Sequence, residues 1–150
     1  MYKKIFEYFQ IPLSVYKDES LKSGTDIFMI NHILKLVIKM KEGNFDTIFS
    51  YSFLSVARSY LFSIPDDVIF SYFANHTFQD SIIWEKVSEL VSYIDSESPL
   101  RFYHRLLDTF EVEERLIITE NMKASRIRLE YFYNMLKDLV NKGYTIYESS

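Results

Sequence analysis

The side chains best placed for chemistry lie in the stretch "RFYHR", residues 101–105. On a helix Arg101 and Arg105 stand at i,i+4 and share one face, with His104 beside them. Two guanidiniums next to an imidazole are a candidate contact for an anion or a phosphate. The competing reading is a solvated helix face on which the arginines pair with Asp108. Arg101, His104 and Arg105 are therefore carried forward as a candidate anion contact.

The spacing argues against catalysis by this group. The helical HEPN ribonucleases use an arginine and a histidine four to six residues apart, whereas only Phe102 and Tyr103 separate Arg101 from His104. The other histidines, His32 and His76, are distant in sequence and belong to no ligand-like cluster. HExxH, GxGxxG, the P-loop and GxSxG are absent. With only 3 glycines, no loop lets backbone close on a phosphate. Asp66–Asp67 and Glu113–Glu114 are adjacent pairs whose side chains diverge on a helix, while acid–base catalysis needs carboxylates converging on one substrate. Cys 0 excludes disulfides, thiolate chemistry and cysteine-ligated metals. No catalytic, metal or cofactor residues are expected, and the chain is not read as an enzyme.

Charge is unevenly placed. Residues 1–43 hold 7 Lys and 5 acids, residues 44–100 hold 2 basic and 8 acidic residues, and residues 101–150 hold 8 of each. The middle segment is acidic, which repels nucleic acid and favours a basic protein partner. It also contains "FSYSFLSVARSYLFSI", residues 49–64, whose single charge is Arg58. On a helical wheel Phe45, Phe49, Phe53, Val56 and Tyr60 form one ridge. Tyr51, Leu54, Leu61 and Phe62 cover the other side, with Ser52, Ser55 and Ser59 between. A helix apolar nearly all round is expected at the centre of a bundle. Arg58 must pair with an acid or reach solvent. Tyr51, Arg58, Asp66, Asp67, Glu85 and Glu89 are the candidate partner-binding residues, since tyrosine and arginine favour interface hot spots.

The elements that position these groups are helices. Apolar residues recur at helical spacing, and 3 glycines and 3 prolines leave room for few turns. The pattern predicts a short first helix ending before Pro12, then a loop over 13–22. A second helix from Thr25 or Asp26 carries a polar stripe of Asn31, Lys35, Lys39 and Glu42, with Gly43 as its left-handed stop. Asn44 or Asp46 caps the next, which runs to about Phe62. Pro65, Asp66 and Asp67 start a short helix through Phe73, and "ANHT" is a turn. Thr77 or Asp80 caps a helix that buries Ile83, Val87, Leu90, Val91 and Ile94. Ser98 and Pro99 start another. Residues 111–122 fit either helix or a short strand. A last helix over about 123–141 buries Ile127, Tyr131, Met135, Leu139 and Val140. The expectation is an all-α, compact single-domain bundle of about six to seven helices over 1–150, ending in a short strand or extended tail.

Two local likenesses bear on function. "MLKDLVNKGYTIY" resembles the end of a winged-helix unit, which implies nucleic-acid binding through the C-terminal helix, and in "KASRIRLEYFYNMLK" the composition of Lys123, Arg126, Arg128 and Lys137 among aromatics suits the same partner. "IPDDVIFSYF" and the amphipathic helix after it resemble part of the poxvirus Bcl-2-like proteins, which implies a viral helical bundle that binds a host protein. The Gly-containing central-helix segment of that family has no counterpart here. Against the first stands the acidic balance, so nucleic acid is disfavoured as a partner. The leading expectation is a small acidic protein-interaction module: a neutralising inhibitor or immunity protein that binds a toxin or effector. No apolar run reaches the roughly 18 residues of a membrane helix, and "MYKKIFEYFQIPL" makes no convincing signal peptide, so a cytoplasmic location away from membranes is expected.

Overall fold

The computed structural model describes residues 2–15, 25–116 and 122–142. Their regular structure is all helical, with no strand among them: α1 (Tyr2–Val15), α2 (Thr25–Glu42), α3 (Thr47–Arg58), α4 (Asp66–Asn75), α5 (Ile82–Tyr93), α6 (Pro99–Thr109), α7 (Val112–Leu116) and α8 (Met122–Asn141). A single 3₁₀ turn, Phe78–Asp80, precedes α5. The all-α bundle expected from periodicity is what forms. Residues 112–116 are helix, whereas the tail likened to a wing lies outside the described residues.

Helix ends follow from local hydrogen bonding. Gly43 takes φ +68°, and its N–H and that of Asn44 donate to the carbonyls of Met40 and Lys39, closing α2 in a Schellman motif. Asp46, rather than Asn44, caps α3 by accepting from the Phe49 N–H at 3.0 Å, and its other oxygen accepts from Lys39 Nζ at 2.8 Å. One carboxylate thus fixes the α2–α3 corner. Ser81, not Thr77 or Asp80, caps α5, because the 3₁₀ turn carries the chain past both. Ser98 and Pro99 open α6 as expected. Three boundaries move, the least being α4, which runs past Phe73 to Asn75. Pro12 sits inside the last turn of α1, where only one N–H is forgone, instead of ending the helix. α3 stops at Arg58, because Ser59 turns extended and the Ile64 N–H folds back onto the Ala57 carbonyl.

The hub is α2, not α3. α2 packs against α1, α3, α5 and α8, and buries Ile27, Met29, Ile30, Ile33, Leu34, Leu36 and Val37. α3 buries Phe49, Phe53, Val56 and Ala57 on one side only, leaving Ile48, Tyr51 and Arg58 exposed on the other. Two aromatic clusters flank α2. Phe9 meets Phe102, Tyr103 and Phe132 edge-on or tilted where α1, α6 and α8 converge. Phe49, Phe53, Phe73, Phe78 and Trp84 interlock where α3, α4 and α5 converge. Such ring pairs add about 0.5–1.5 kcal/mol each beyond their buried area.

The face expected on α8 is only partly covered: Met135, Leu139 and Val140 pack half-buried against the core, but its N-terminal half turns otherwise. Ile127 and Tyr131 are exposed, while Leu129, Phe132 and Leu136 are buried. The reason is Arg128, which a wheel assigns to solvent. Its Nε donates to Asp26 Oδ1 at 3.0 Å, and Asp26 is only 1% exposed. Turning Arg128 inward carries Phe132 onto Tyr103, whose hydroxyl donates to the Leu129 carbonyl at 3.0 Å. Burial pushes the Asp26 carboxyl above its ordinary range, and Arg128 opposes that shift. The Tyr60 hydroxyl is also buried without a protein hydrogen-bond partner.

Breaking this pair from one side strands a buried charge. Arg128→Met is expected to cost about 3–5 kcal/mol of unfolding free energy at neutral pH. The deficit shrinks in acid as Asp26 takes up a proton, and Asp26→Leu in the same chain recovers most of it. Urea unfolding of the two single variants and the double variant checks this; a single-variant cost below about 1 kcal/mol, as for an exposed pair, contradicts it.

Candidate functional site

The sequence candidates separate into distinct places. Arg105 Nε donates to Glu97 Oε1 at 2.7 Å, and Arg101 Nε lies 4.0 Å from Glu97 Oε2. Glu97, at the α5–α6 turn, therefore answers both arginines in place of Asp108. The Arg105 guanidinium also lies 3.8 Å over the Tyr93 ring, and the Glu97 hydrogen bond holds its pKa above the ordinary value. His104 points elsewhere. It contacts Tyr103 and Tyr133 and borders a cleft of about 410 Å³ with Glu113, Arg126 and Glu130, between α6, α7 and α8. Arg101, His104 and Arg105 thus do not converge on one ligand position. Among the described residues no group of His, Asp or Glu is arranged to hold a metal ion.

The partner-binding candidates divide as well. Glu89 borders a cleft with Lys86, Arg105 and Asp108, away from α3, and Glu85 is exposed one turn earlier on α5. Tyr51 and Arg58 lie on the open face of α3, and Asp66 and Asp67 begin α4. Arg58 Nε reaches Asp66 Oδ1 at 3.3 Å, with both side chains well exposed. Arg58 therefore both pairs with an acid and reaches solvent. Behind this ion pair, α3 and α4 enclose a groove of about 340 Å³ lined by Leu54, Arg58, Asp66, Ile69, Phe70 and Phe73. Its apolar floor was not singled out in the sequence. The signal was the spacing of Asp66, Ile69, Phe70 and Phe73 at i, i+3, i+4 and i+7, which puts one carboxylate and three apolar groups along one side of α4. Phe70 is 72% exposed, the most of any large apolar side chain described.

Tyr51 is anchored from below. Its ring lies edge-on to His32 of α2, which is 2% exposed and also meets Phe28 edge-on. His32 Nδ1 shares a hydrogen bond with Ser52 Oγ at 3.0 Å, and its Nε2 is buried without a hydrogen-bond partner. Of the serine seam on α3, only Ser52 is buried. Ser55 and Ser59 donate to backbone carbonyls within their own turns. A charged imidazole here would bury an N–H with no acceptor. Burial, with the nearby Lys35 charge, lowers the His32 pKa to about 4.

Comparison with family models, curated proteins and solved structures returns no match, so the reading of these surfaces rests on the geometry of the chain itself.

His32 gives a pH signature. The unfolded imidazole takes a proton near its ordinary value, the folded one only near pH 4. Between those values the unfolded state binds more protons, so stability falls as pH drops through the window and the loss is complete below it. The wild type is expected to lose about 3 kcal/mol to this group, on a scale of 1.36 kcal/mol per pH unit. His32→Gln, which keeps a hydrogen-bonding side chain near Ser52, should remove that part of the slope. Urea unfolding at intervals from pH 7 to 4 tests this; parallel profiles for the two proteins would count against a buried neutral histidine.

Proposed function

We propose that this chain is a protein-interaction module, acting as a neutralising inhibitor of the immunity-protein kind on a partner with a basic surface. One observation carries the reading. Of the nine exposed large apolar side chains among the described residues, six (Phe45, Ile48, Tyr51, Val68, Phe70 and Ile82) fall between residues 45 and 82. That stretch lies within the acidic segment, where 8 carboxylates face 2 cations. Both cations already have partners: Arg58 pairs with Asp66, and Lys86 donates to the Thr109 carbonyl.

Exposed aromatic anchors inside a carboxylate field suit a partner that offers apolar groups ringed by lysine and arginine. The apolar anchors supply affinity, and the carboxylates supply steering and selectivity. An inhibitor needs no catalytic residues of its own, only a surface that covers those of its target.

The full chain, immobilised as bait in extract of its native host, is expected to retain a stoichiometric basic protein at low salt and release it at high salt. Tyr51→Ala combined with Asp67→Lys is expected to abolish retention, and the chain should suppress the activity of the recovered protein. Recovery of no stoichiometric partner, with the purified chain monomeric and inert, rejects the proposal.

A further inference from the structure

The groove between α3 and α4 has the chemistry of a peptide seat. Leu54 and Phe73 are half-buried and Ile69 is buried, while Phe70 stands in solvent at the groove's edge. The rim is polar at one end only, where Arg58 and Asp66 pair at 3.3 Å. Asp67 is exposed beside them and makes no ion pair among the described residues. At about 340 Å³ the groove lies at the small end of ligand pockets, fitting apolar side chains better than a large cofactor.

We propose that this groove binds an amphipathic basic peptide segment of the partner, with its apolar side chains packed on Phe70 and its lysines or arginines facing Asp67. The inference rests on the interaction reading and specifies where and how it is met. Charge selects the occupant. Arg58 is the only cation from residue 44 to 85, and Asp66 already neutralises it. The groove end therefore lacks positive charge that an incoming segment must supply. A second copy docked through the same face would instead bring its own acidic segment against Asp66 and Asp67. The chain's own residues 143–150 hold one acid and no base, so they do not complement the rim either. Apolar contacts along one face of an amphipathic helix or extended segment, with charge on its flank, satisfy both features together.

The test uses the full chain and a fluorescein-labelled model peptide of leucines at helical spacing with lysines elsewhere, followed by anisotropy. Binding is expected, weakening as salt is raised. Phe70→Ser should weaken it tenfold or more, and Asp67→Lys should weaken it and flatten its salt dependence. The same peptide with glutamate for lysine should not bind. Asp138→Lys, on the exposed side of α8, should leave affinity unchanged. Because Phe70 is exposed, its replacement should not alter the thermal unfolding midpoint, which is measured alongside. Equal binding by Phe70→Ser, equal binding of the glutamate peptide, or an equal loss on Asp138→Lys overturns the proposal. So does Phe70-dependent self-association of the chain alone in sedimentation. If the host partner is still captured by Phe70→Ser, the groove assignment fails and the interaction reading stands. If the lysine peptide seats on Phe70 but no host partner exists, the reverse holds.

Discussion

A helix that is apolar on nearly every side can exist in water only if other elements enclose it, and α2 is that helix. Its isoleucines, leucines and valine point toward α1, α3, α5 and α8, so each of those helices is placed by the need to cover one of its flanks. The turn at Gly43 and the double use of Asp46 then fix how α3 leaves α2. α6 is held at second hand, through α5 on one side and through the aromatic cluster of Phe9, Phe102, Tyr103 and Phe132 on the other.

The enclosure is not wholly apolar, and its polar members set the register of its neighbours. Asp26 holds α8 at one rotation through Arg128, and His32 holds α3 through Ser52. Stability alone does not account for the Asp26–Arg128 contact, since well-packed hydrophobic residues often do as well as a buried ion pair. The effect of both contacts is geometric. A slip of α8 that exposed Leu129 and buried Tyr131 would also strand Asp26. A shift of α3 would leave His32 with neither nitrogen paired and remove the support under Tyr51.

The sequence was most legible where a local rule acts alone. Gly43, Ser98 and Pro99 announce helix ends because a left-handed stop, a side-chain cap and a fixed φ each need only their own neighbours. The α5 face was legible for a similar reason: its apolar and acidic residues occupy opposite sides, so one wheel position satisfies both. α3 and α8 were not. Each carries two apolar stripes, and periodicity cannot say which is covered when covering depends on a distant residue. For α8 the deciding group is Asp26, a hundred positions away and outside any local pattern. For α3 it is α4, too short and too apolar to declare which of its faces is buried. The candidate site shared this limit. Asp66 was legible as a charged helix start and Tyr51 as an anchor, but the periodicity left open whether Arg58 is buried or exposed, and the groove between them exists only because α4 folds beside α3.

Asp66 and Asp67 have a local role that needs no partner. They stand in the first turn of α4, where the helix dipole favours negative charge, and they keep an aromatic-rich face hydrated. Arg58 has one as well, since it balances Asp66. Phe70 has none. It is on the solvent side of a helix whose neighbours Ile69 and Phe73 already supply its packing, and a polar residue there would serve the fold equally well. Scattered exposed apolar residues are normal on a protein surface. An exposed phenylalanine that borders a groove, with a carboxylate pair at its end and no unpaired cation along α3 or α4, is a different case. Charge and apolar surface at that place are the two features that the proposed amphipathic basic segment would satisfy together.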